Sequence, residues 1–349
     1  MSAPRAELLE LLRAIKAEPE ENTPKLALAD WLQEQPDAAD RARGEFLHRF
    51  VQNNLLATTD PARQDFGALA SLWNRYEREW AGELKEAGFT VWATNHLFRW
   101  GLLFPVLDDP RAAITPARRV AGSEQYAWVA GIALRAVDPA FASLFTGSAL
   151  LDSLIALRLP PEVARDALLE RLADSPRATG LLDLDLGSRY PVEAAELEAV
   201  ARSPHLVRLR RLSLARSPLD APALAALANS VALRGLRALD LSACEMTGDA
   251  VRAFAAGTGL PALTELDLSN YGTAGIGDNG VIRLLANPHA GRLRKLNLGH
   301  NGISEQGATA LCVQPHMRHL MRLDLSANLL RNRAAGDLAN APPLGSLEE

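Results

Sequence analysis

The sequence has few cysteines and no long apolar run. Only two cysteines, Cys244 and Cys312, occur among its 349 residues. That is too few for a disulfide framework and is typical of a protein from the reducing cytoplasm. No apolar run approaches the ~18 residues of a membrane span, and the segment 1–22 is too rich in acids to be a signal peptide. The net charge of −5 is too small to favour nucleic acid or a membrane as a partner. We therefore expect a cytoplasmic protein that binds neither nucleic acid nor a membrane.

The motifs of common catalytic sites are absent as well. None of G-x-S-x-G, G-x-x-x-x-G-K-[ST] and H-E-x-x-H occurs. His316 and His319 have no cysteine or acid at metal-ligand spacing beside them. The glycine-rich stretch Gly272–Gly280 lacks the lysine of a phosphate-binding loop. We interpret it as an inserted structural loop, with part of a binding rim as the alternative. We predict that the protein is not an enzyme and has no catalytic residue, cofactor or metal site.

Tryptophan is confined to the N-terminal part of the chain. All six tryptophans precede Val129, so this part is built differently from the rest of the chain. Apolar residues recur there at helical spacing, which predicts helices near 4–17, 23–34, 37–51 and 62–87, with a turn at Thr58–Pro61 before the last. We predict a helical N-terminal domain over 1–90, a linker or N-terminal capping segment over 91–128, and repeats over 129–349.

One short pattern recurs through the C-terminal part. It is spelled LRALDLSAC from Leu236, LTELDLSNY from Leu263, LRKLNLGHN from Leu293 and LMRLDLSAN from Leu320. The first leucines lie 27 to 30 residues apart, at Leu154, Leu181, Leu209, Leu236, Leu263, Leu293 and Leu320, and a weaker copy starts at Val129. Side chains at i, i+3 and i+4 after each copy predict a helix. Strand and helix therefore alternate, which predicts a parallel sheet covered by helices.

The pattern L-x-x-L-x-L-x-x-N resembles a leucine-rich repeat. Its long period is similar to that of the ribonuclease-inhibitor-like subfamily, which includes the GTPase-activating protein of the Ran system. The resemblance implies an α/β leucine-rich-repeat solenoid, a horseshoe with the parallel sheet inside and helices outside, preceded by a small all-α domain. It also implies protein binding as the function, with the partner unidentified. By analogy with the Ran activator, regulation of a small GTPase is an alternative, and a structural protein without a specific partner is another.

The N-terminal segment 1–55 carries a second resemblance. Ala29-Asp30-Trp31-Leu32-x-Glu34 and Arg43-Gly44-Glu45-Phe46 resemble the "repeat-companion" domain found in front of repeats in planctomycete proteins. That family implies no activity. We interpret Asp30, Glu34, Arg41, Arg43 and Glu45 as an ion-pair network between the second and third helices. A catalytic pair or a docking patch is the alternative.

The ninth position of each repeat is expected to close the turn after the strand. An asparagine there can bond backbone groups in place of the lost ladder. Asn301, Asn328 and Cys244 fit this role, whereas Ser217, Tyr271 and Arg189 occupy the position elsewhere and break the asparagine ladder. Cys312 falls on the inner stripe of a helix, so we expect it to be buried.

Outward side chains of the predicted strands form three columns. The first column is Ala156, Asp183, Arg211, Ala238, Glu265, Lys295 and Arg322. The second is Arg158, Asp185, Ser213, Asp240, Asp267, Asn297 and Asp324. The third is small throughout: Pro160, Gly187, Ala215, Ser242, Ser269, Gly299 and Ser326. We predict a protein-binding face at Arg211, Asp240, Asp267, Lys295, Asn297, Arg322 and Asp324. The alternative is that the acids only pair with the Arg and Lys of the adjacent column.

The last copy of the pattern comes close to the C-terminus. One further step of 27 from Leu320 reaches Leu347. We therefore expect little cover for Leu344 and Leu347, and an end after Pro342 that is frayed or covered by a partner, because a solenoid end needs a cap.

Overall fold

A computed structural model of the chain describes residues 5–55, 66–91, 98–135, 137–159, 166–187, 191–246, 248–271 and 275–347. The predicted turn at Thr58–Pro61, the column residue Pro160, the ninth-position Arg189 and the part of the glycine-rich stretch at 272–274 lie outside these residues. No helix within the described ranges is both long and apolar enough to span a membrane.

Helices and strands alternate along most of the chain. The helices of the described residues are α1 (Ala6–Ala17), α2 (Thr23–Gln33), α3 (Ala38–Leu55), α4 (Phe66–Glu86), α5 (Pro110–Val120), α6 (Glu124–Ala127), α7 (Pro139–Thr146), α8 (Asp166–Ala173), α9 (Ala194–Arg202), α10 (Ala221–Ala228), α11 (Gly248–Ala255), α12 (Gly277–Leu285), α13 (Glu305–Val313) and α14 (Asn332–Ala339). The strands are β1 (Phe89–Thr90), β2 (Phe98–Arg99), β3 (Leu102–Leu103), β4 (Val106–Leu107), β5 (Gly131–Leu134), β6 (Ala156–Arg158), β7 (Asp183–Asp185), β8 (Arg211–Ser213), β9 (Ala238–Asp240), β10 (Glu265–Asp267), β11 (Lys295–Asn297) and β12 (Arg322–Asp324).

The predicted fold class is confirmed: a long, mainly parallel sheet of ten strands is flanked by helices and preceded by a helical region. Contacts divide the chain into two compact units. The N-terminal unit contains 1–136 and 147–157, and the repeat unit contains 137–146 and 158–349.

The N-terminal unit begins with the expected helices α1, α2 and α3. The interior holds an aromatic cluster, in which Phe46 and Trp73 both pack on Phe98, with ring centroids 4.5 and 5.2 Å away. Phe98 lies in a short hairpin of β2 and β3. Trp100 and Gly101 form its two-residue turn with φ of 55° and 83°, the backbone that a tight hairpin of this length requires.

The acidic and basic residues of α2 and α3 form fewer ion pairs than predicted. Asp30 of α2 lies 2.9 Å from Nε2 of His48 of α3, a residue outside the predicted network, so one polar link between the helices exists. Arg41 instead donates to the backbone oxygens of Gln35 and Pro36 at 2.9 and 2.6 Å. The network prediction is therefore wrong for most of its members, because backbone carbonyls at the end of α2 attract Arg41.

Arg43 also takes no part in the predicted ion-pair network. Its guanidinium stacks on Trp128, 3.6 Å from the ring centroid, and lies 5.3 Å from the Trp80 centroid. Only 8% of the residue is exposed. A cation over an aromatic face is stabilised when desolvated, so Arg43 serves the packing of α3.

A buried lysine ties α1 to two loops of the N-terminal unit. Nζ of Lys16 donates to the carbonyl oxygens of Val129 and Ser153 at 2.7 and 2.9 Å. Burial disfavours the charged form and lowers the pKa of Lys16 to about 7.

In the repeat unit, leucines form the core as the alternating pattern predicts. Leu239 and Leu241 are 2% and 1% exposed, as are their counterparts Leu266 and Leu268 at 3% each. The inner helical stripes are also buried, except at Cys312, which is only partly covered in the last turn of α13. The expectation that Cys312 is buried is therefore wrong.

The C-terminal end of the repeat unit is better covered at Leu344 than expected. α14 is followed by a 3₁₀ turn at Pro342–Leu344, and Leu344 is 4% exposed. Its N–H donates to the carbonyl of Ala341 at 2.9 Å. The expectation of little cover is therefore wrong for Leu344, because this turn buries its apolar side chain, whereas Leu347 is 37% exposed.

A row of buried serines joins consecutive repeats on the helical side. Oγ of Ser175, Ser203 and Ser230 donates, respectively, to the carbonyl oxygens of Thr146, Ala173 and Ala201, at 2.7, 2.5 and 2.7 Å. Asn287 Nδ2 makes the equivalent bond to Ala255 O at 2.9 Å. Helices leave their last carbonyls unsatisfied, so these side chains of the following repeat complete the helix ends.

Candidate protein-binding face

The seven predicted face residues lie on five adjacent strands, β8 to β12, of the repeat unit. The register aligns Glu265 with Lys295 and Arg322, and separately aligns Asp240 with Asp267, Asn297 and Asp324. We call this surface the strand face; it comprises Arg211, Ser213, Ala238, Asp240, Glu265, Asp267, Lys295, Asn297, Arg322 and Asp324. The opposite side of the same strands carries the buried leucines.

The second column of the strand face has a structural task that the sequence interpretation missed. Oδ1 of Asp240, Asp267, Asn297 and Asp324 accepts a hydrogen bond from the backbone N–H two residues later, at 2.8 to 3.0 Å. Such Asx turns satisfy backbone donors where a strand ends. Their signal in the sequence was Asp or Asn at the same position of successive repeats.

The second oxygen of these carboxylates accepts from neutral groups. Asp240 Oδ2 accepts from Ser213 Oγ at 3.2 Å, and Asp267 Oδ2 accepts from Asn297 Nδ2 at 3.0 Å. The simpler alternative, in which these acids pair with Arg and Lys of the adjacent column, is therefore wrong for both of them. One ion pair joins two residues of the second column itself, Arg158 and Asp185, at 2.7 Å.

The first column neutralises much of its own charge. Glu265 lies 2.8 Å from Lys295 and 3.8 Å from Arg211. Arg211 also lies 3.5 Å from Asp183, which is only 3% exposed. Asp183 was expected to face outward and is buried instead, since the Arg211 side chain lies beside it.

Ala156 is a second outward position that proves to be buried. Within the N-terminal unit it packs with Phe104 and Ala133, and Trp100 adds partial cover. Aromatic side chains of the residues before the first repeat thus cover a position that alternation assigns to the open face. The strand pattern gives no information about such cover.

The third column contains only small residues just beyond the strand ends. Ser269 is 4% exposed, and a Cβ added to Gly299 would come within 3.1 Å of Ser326 Oγ. Small residues at this level allow another chain to approach the backbone closely.

An exposed aromatic pair borders the strand face. The rings of Tyr271 and His300 lie 5.0 Å apart, and Tyr271 is 73% exposed. Tyr271 stands at the ninth position, where it was expected to interrupt the ladder, and its ring is exposed instead of buried in the turn. The preceding residue, Asn270, is 5% exposed instead. This repeat thus places an aromatic ring in solvent where others bury a turn residue.

The ladder residues themselves are confirmed. Nδ2 of Asn301 donates to the Leu268 carbonyl at 2.9 Å, and Nδ2 of Asn328 donates to that of Leu298 at the same distance. Cys244 Sγ donates to the Leu214 carbonyl at 3.1 Å. Burial raises the pKa of Cys244 to about 12, which keeps the thiol protonated and suited to this role.

His316 takes part in the repeat framework. Nε2 of His316 lies 3.0 Å from the Leu285 carbonyl, at the end of α12. No group of three or more potential metal ligands occurs among the residues that the structure describes.

Two of three comparisons find a similarity between the chain and known proteins. A sequence model described as a leucine-rich repeat matches residues 293–312, which contain β11 and most of α13. No curated protein matches the chain. Among solved structures, a leucine-rich-repeat protein of Leptospira interrogans is similar, with 15% identity and a TM-score of 0.36. That similarity covers 67% of this chain and 57% of the other, so the chain spans little more than half of the other protein's length.

Proposed function

We propose that this leucine-rich-repeat protein is a protein-interaction module that holds its partner on the strand face. The observation that carries the proposal is the exposed Tyr271–His300 pair beside the regular strands β9 to β12. Tyrosine is enriched where protein interfaces gain most of their energy. A repeat array offers a broad surface for such contacts.

The proposed module binds its partner without catalysing a reaction. The thiols are poorly suited to nucleophilic chemistry, since full burial raises the pKa of Cys244 and partial burial raises that of Cys312, and the thiolate is the reactive form. The same thiols, which form no disulfide, support a location in the reducing cytoplasm. The repeat spacing of 27 to 30 residues supports the ribonuclease-inhibitor-like subfamily, and the two motifs of α2 and α3 support a companion-type N-terminal domain.

The test compares two double variants of the full chain. Tyr271→Ala with His300→Ala removes the aromatic pair that borders the strand face. Ile282→Ala with Val313→Ala removes exposed apolar side chains, 40% and 63% exposed, from α12 and α13. Each protein is immobilised and exposed to a lysate of its source cells, and retained proteins are quantified by mass spectrometry.

We expect the aromatic variant to lose, at least tenfold, a protein that the wild type and the helical variant both retain. Circular dichroism must show that both variants remain folded. Equal retention by the two variants, or a loss confined to the helical variant, would overturn the placement of the partner on the strand face.

A further inference from the structure

Three carboxylates of the strand face have no cationic partner among the described residues. Asp240, Asp267 and Asp324 accept hydrogen bonds only from backbone N–H, hydroxyl and amide groups. The neighbouring column differs, because Glu265 is paired with Lys295. Hydrogen bonds from neutral donors hold these carboxylates in place but leave their negative charge uncompensated. A partner with positive charge would complement this column.

A second, independent feature borders the same strands. Tyr271, His300 and Leu329 follow β10, β11 and β12, and all three are exposed, Tyr271 at 73% and Leu329 at 67%. Exposed apolar side chains in neighbouring loops mark an interaction surface more strongly than isolated ones. The partner therefore needs an apolar contact as well as a charged one.

We propose that the strand face binds an extended basic segment of a protein, which rests on the interaction function proposed above. Arginine or lysine side chains of that segment meet Asp240, Asp267 and Asp324, and an apolar side chain between them rests on Tyr271 and His300. The width of the strand face suits a short extended segment, because neighbouring strands are about 4.8 Å apart and β9 to β12 span about 14 Å. At about 3.3 Å per residue, four to five extended residues cross this distance.

Small residues make room for such a segment. Ser242, Ser269, Gly299 and Ser326 lie two residues beyond the ends of the four strands concerned. Because none carries a long side chain, the backbone of a bound segment can lie close to the sheet while its basic side chains reach the carboxylates. The sequence pattern expected in the partner is a short alternation of basic residues with an apolar residue near its centre.

The probe is a fluorescein-labelled nine-residue peptide in which arginine alternates with serine around a central leucine. A second peptide carries glutamate in place of arginine. The test variant is Asp240→Asn, Asp267→Asn and Asp324→Asn, which removes three charges but keeps an acceptor for each turn. Asn297 already makes the same turn in β11. Binding to the full chain is followed by fluorescence anisotropy.

The matched control removes three charges from the helical side. Glu198→Gln, Asp249→Asn and Glu305→Gln change α9, α11 and α13 and give the protein the same net charge as the test variant. Thermal melts of both triple variants establish that they are folded.

We expect the arginine peptide to bind the wild type and the control equally, and the test variant ~10–100-fold more weakly, because each exposed pair contributes about a two- to fivefold effect. Tyr271→Ala should weaken binding about tenfold. The glutamate peptide should not bind. Equal binding of both peptides, or an unchanged affinity of the test variant, would overturn the proposal.

The lysate experiment separates this inference from the proposed function. If a cellular protein is lost with the Tyr271/His300 variant but retained fully by the triple Asn variant, the face binds protein and the basic segment is refuted. If every cellular protein that the wild type retains is also retained by both variants, the interaction function of the strand face is refuted together with the basic segment.

Discussion

Asn301 provides the most direct test of what holds the repeats together. Its side chain is 1% exposed. Nδ2 donates to the carbonyls of Leu268 and Gly299 at 2.9 and 3.1 Å, and Oδ1 accepts from the N–H of Ile276 at 3.2 Å. Two of these three bonds cross from the sixth copy of the repeat pattern to the fifth. Asn301→Ala therefore removes side-chain bonds and also part of the coupling between neighbours.

The magnitude comes from the groups left without partners. The Leu268 carbonyl and the Ile276 N–H lose the bonds that Asn301 makes, and each unsatisfied buried group costs about 1–3 kcal/mol. We expect Asn301→Ala to lower the free energy of unfolding by about 3–5 kcal/mol. Asn301→Cys should lose only about 1–2 kcal/mol, because Cys244 makes the equivalent bond to the Leu214 carbonyl at 3.1 Å.

The assay is urea unfolding followed by far-UV circular dichroism. Asn229→Ala is the matched control, because Asn229 is exposed and its amide bonds only Ala225 O of its own helix, at 2.9 Å. We expect that control to lose less than about 1 kcal/mol. The ladder would be refuted as a source of stability if Asn301→Ala lowered the free energy of unfolding by less than about 1 kcal/mol, or if Asn229→Ala lowered it by more than Asn301→Ala did.

Three further predictions concern stability. Leu268→Ala should cost about 2–5 kcal/mol in denaturant melts because the side chain is 3% exposed, and a loss under about 1 kcal/mol would mean that the strand register is wrong. Ser203→Ala should cost about 1–3 kcal/mol, since the carbonyl of Ala173 loses its partner; unchanged stability would show that water replaces the hydroxyl. The pKa of Lys16 is lowered to about 7 by burial, so above pH 7 the unfolded chain binds a proton that the folded chain does not. The stability of the wild type relative to Lys16→Met should therefore rise by up to about 1.4 kcal/mol per pH unit between pH 7 and 9, and a flat difference in urea melts would contradict this assignment.

The repeat fold could be predicted because its signal is periodic. Leucines such as Leu239 and Leu266 recur at fixed spacing, and alternation alone places them on the core side of a strand. The same rule placed Asp240 and Asp267 on the outer side and side by side, which the register confirms. Periodicity could not tell which bonds these carboxylates make, since an Asx turn depends on the backbone after the strand.

Spacing rules could not predict contacts between different helices, strands and loops. Arg43 was expected to pair with acids one helix away, but Trp128 lies against its guanidinium from a distant part of the sequence. Asp183 was assigned to the open face and is covered by Arg211. The serine row was missed although Ser175 and Ser203 each precede a proline at the same phase of the repeat, a signal that sequence alone contains.

The central claim is that the partner lies on the strand face, and site-specific photo-crosslinking tests it most directly. The photoreactive residue p-benzoylphenylalanine is placed at 271, beside the face, or at 313, in the last turn of α13. Tyr271 and Val313 are exposed by 73% and 63%, so either position can reach a neighbouring protein. After irradiation in the source cells, we predict a covalent protein adduct from position 271 and none from 313. An adduct from 313 alone, or adducts of equal yield from both positions, would contradict the claim.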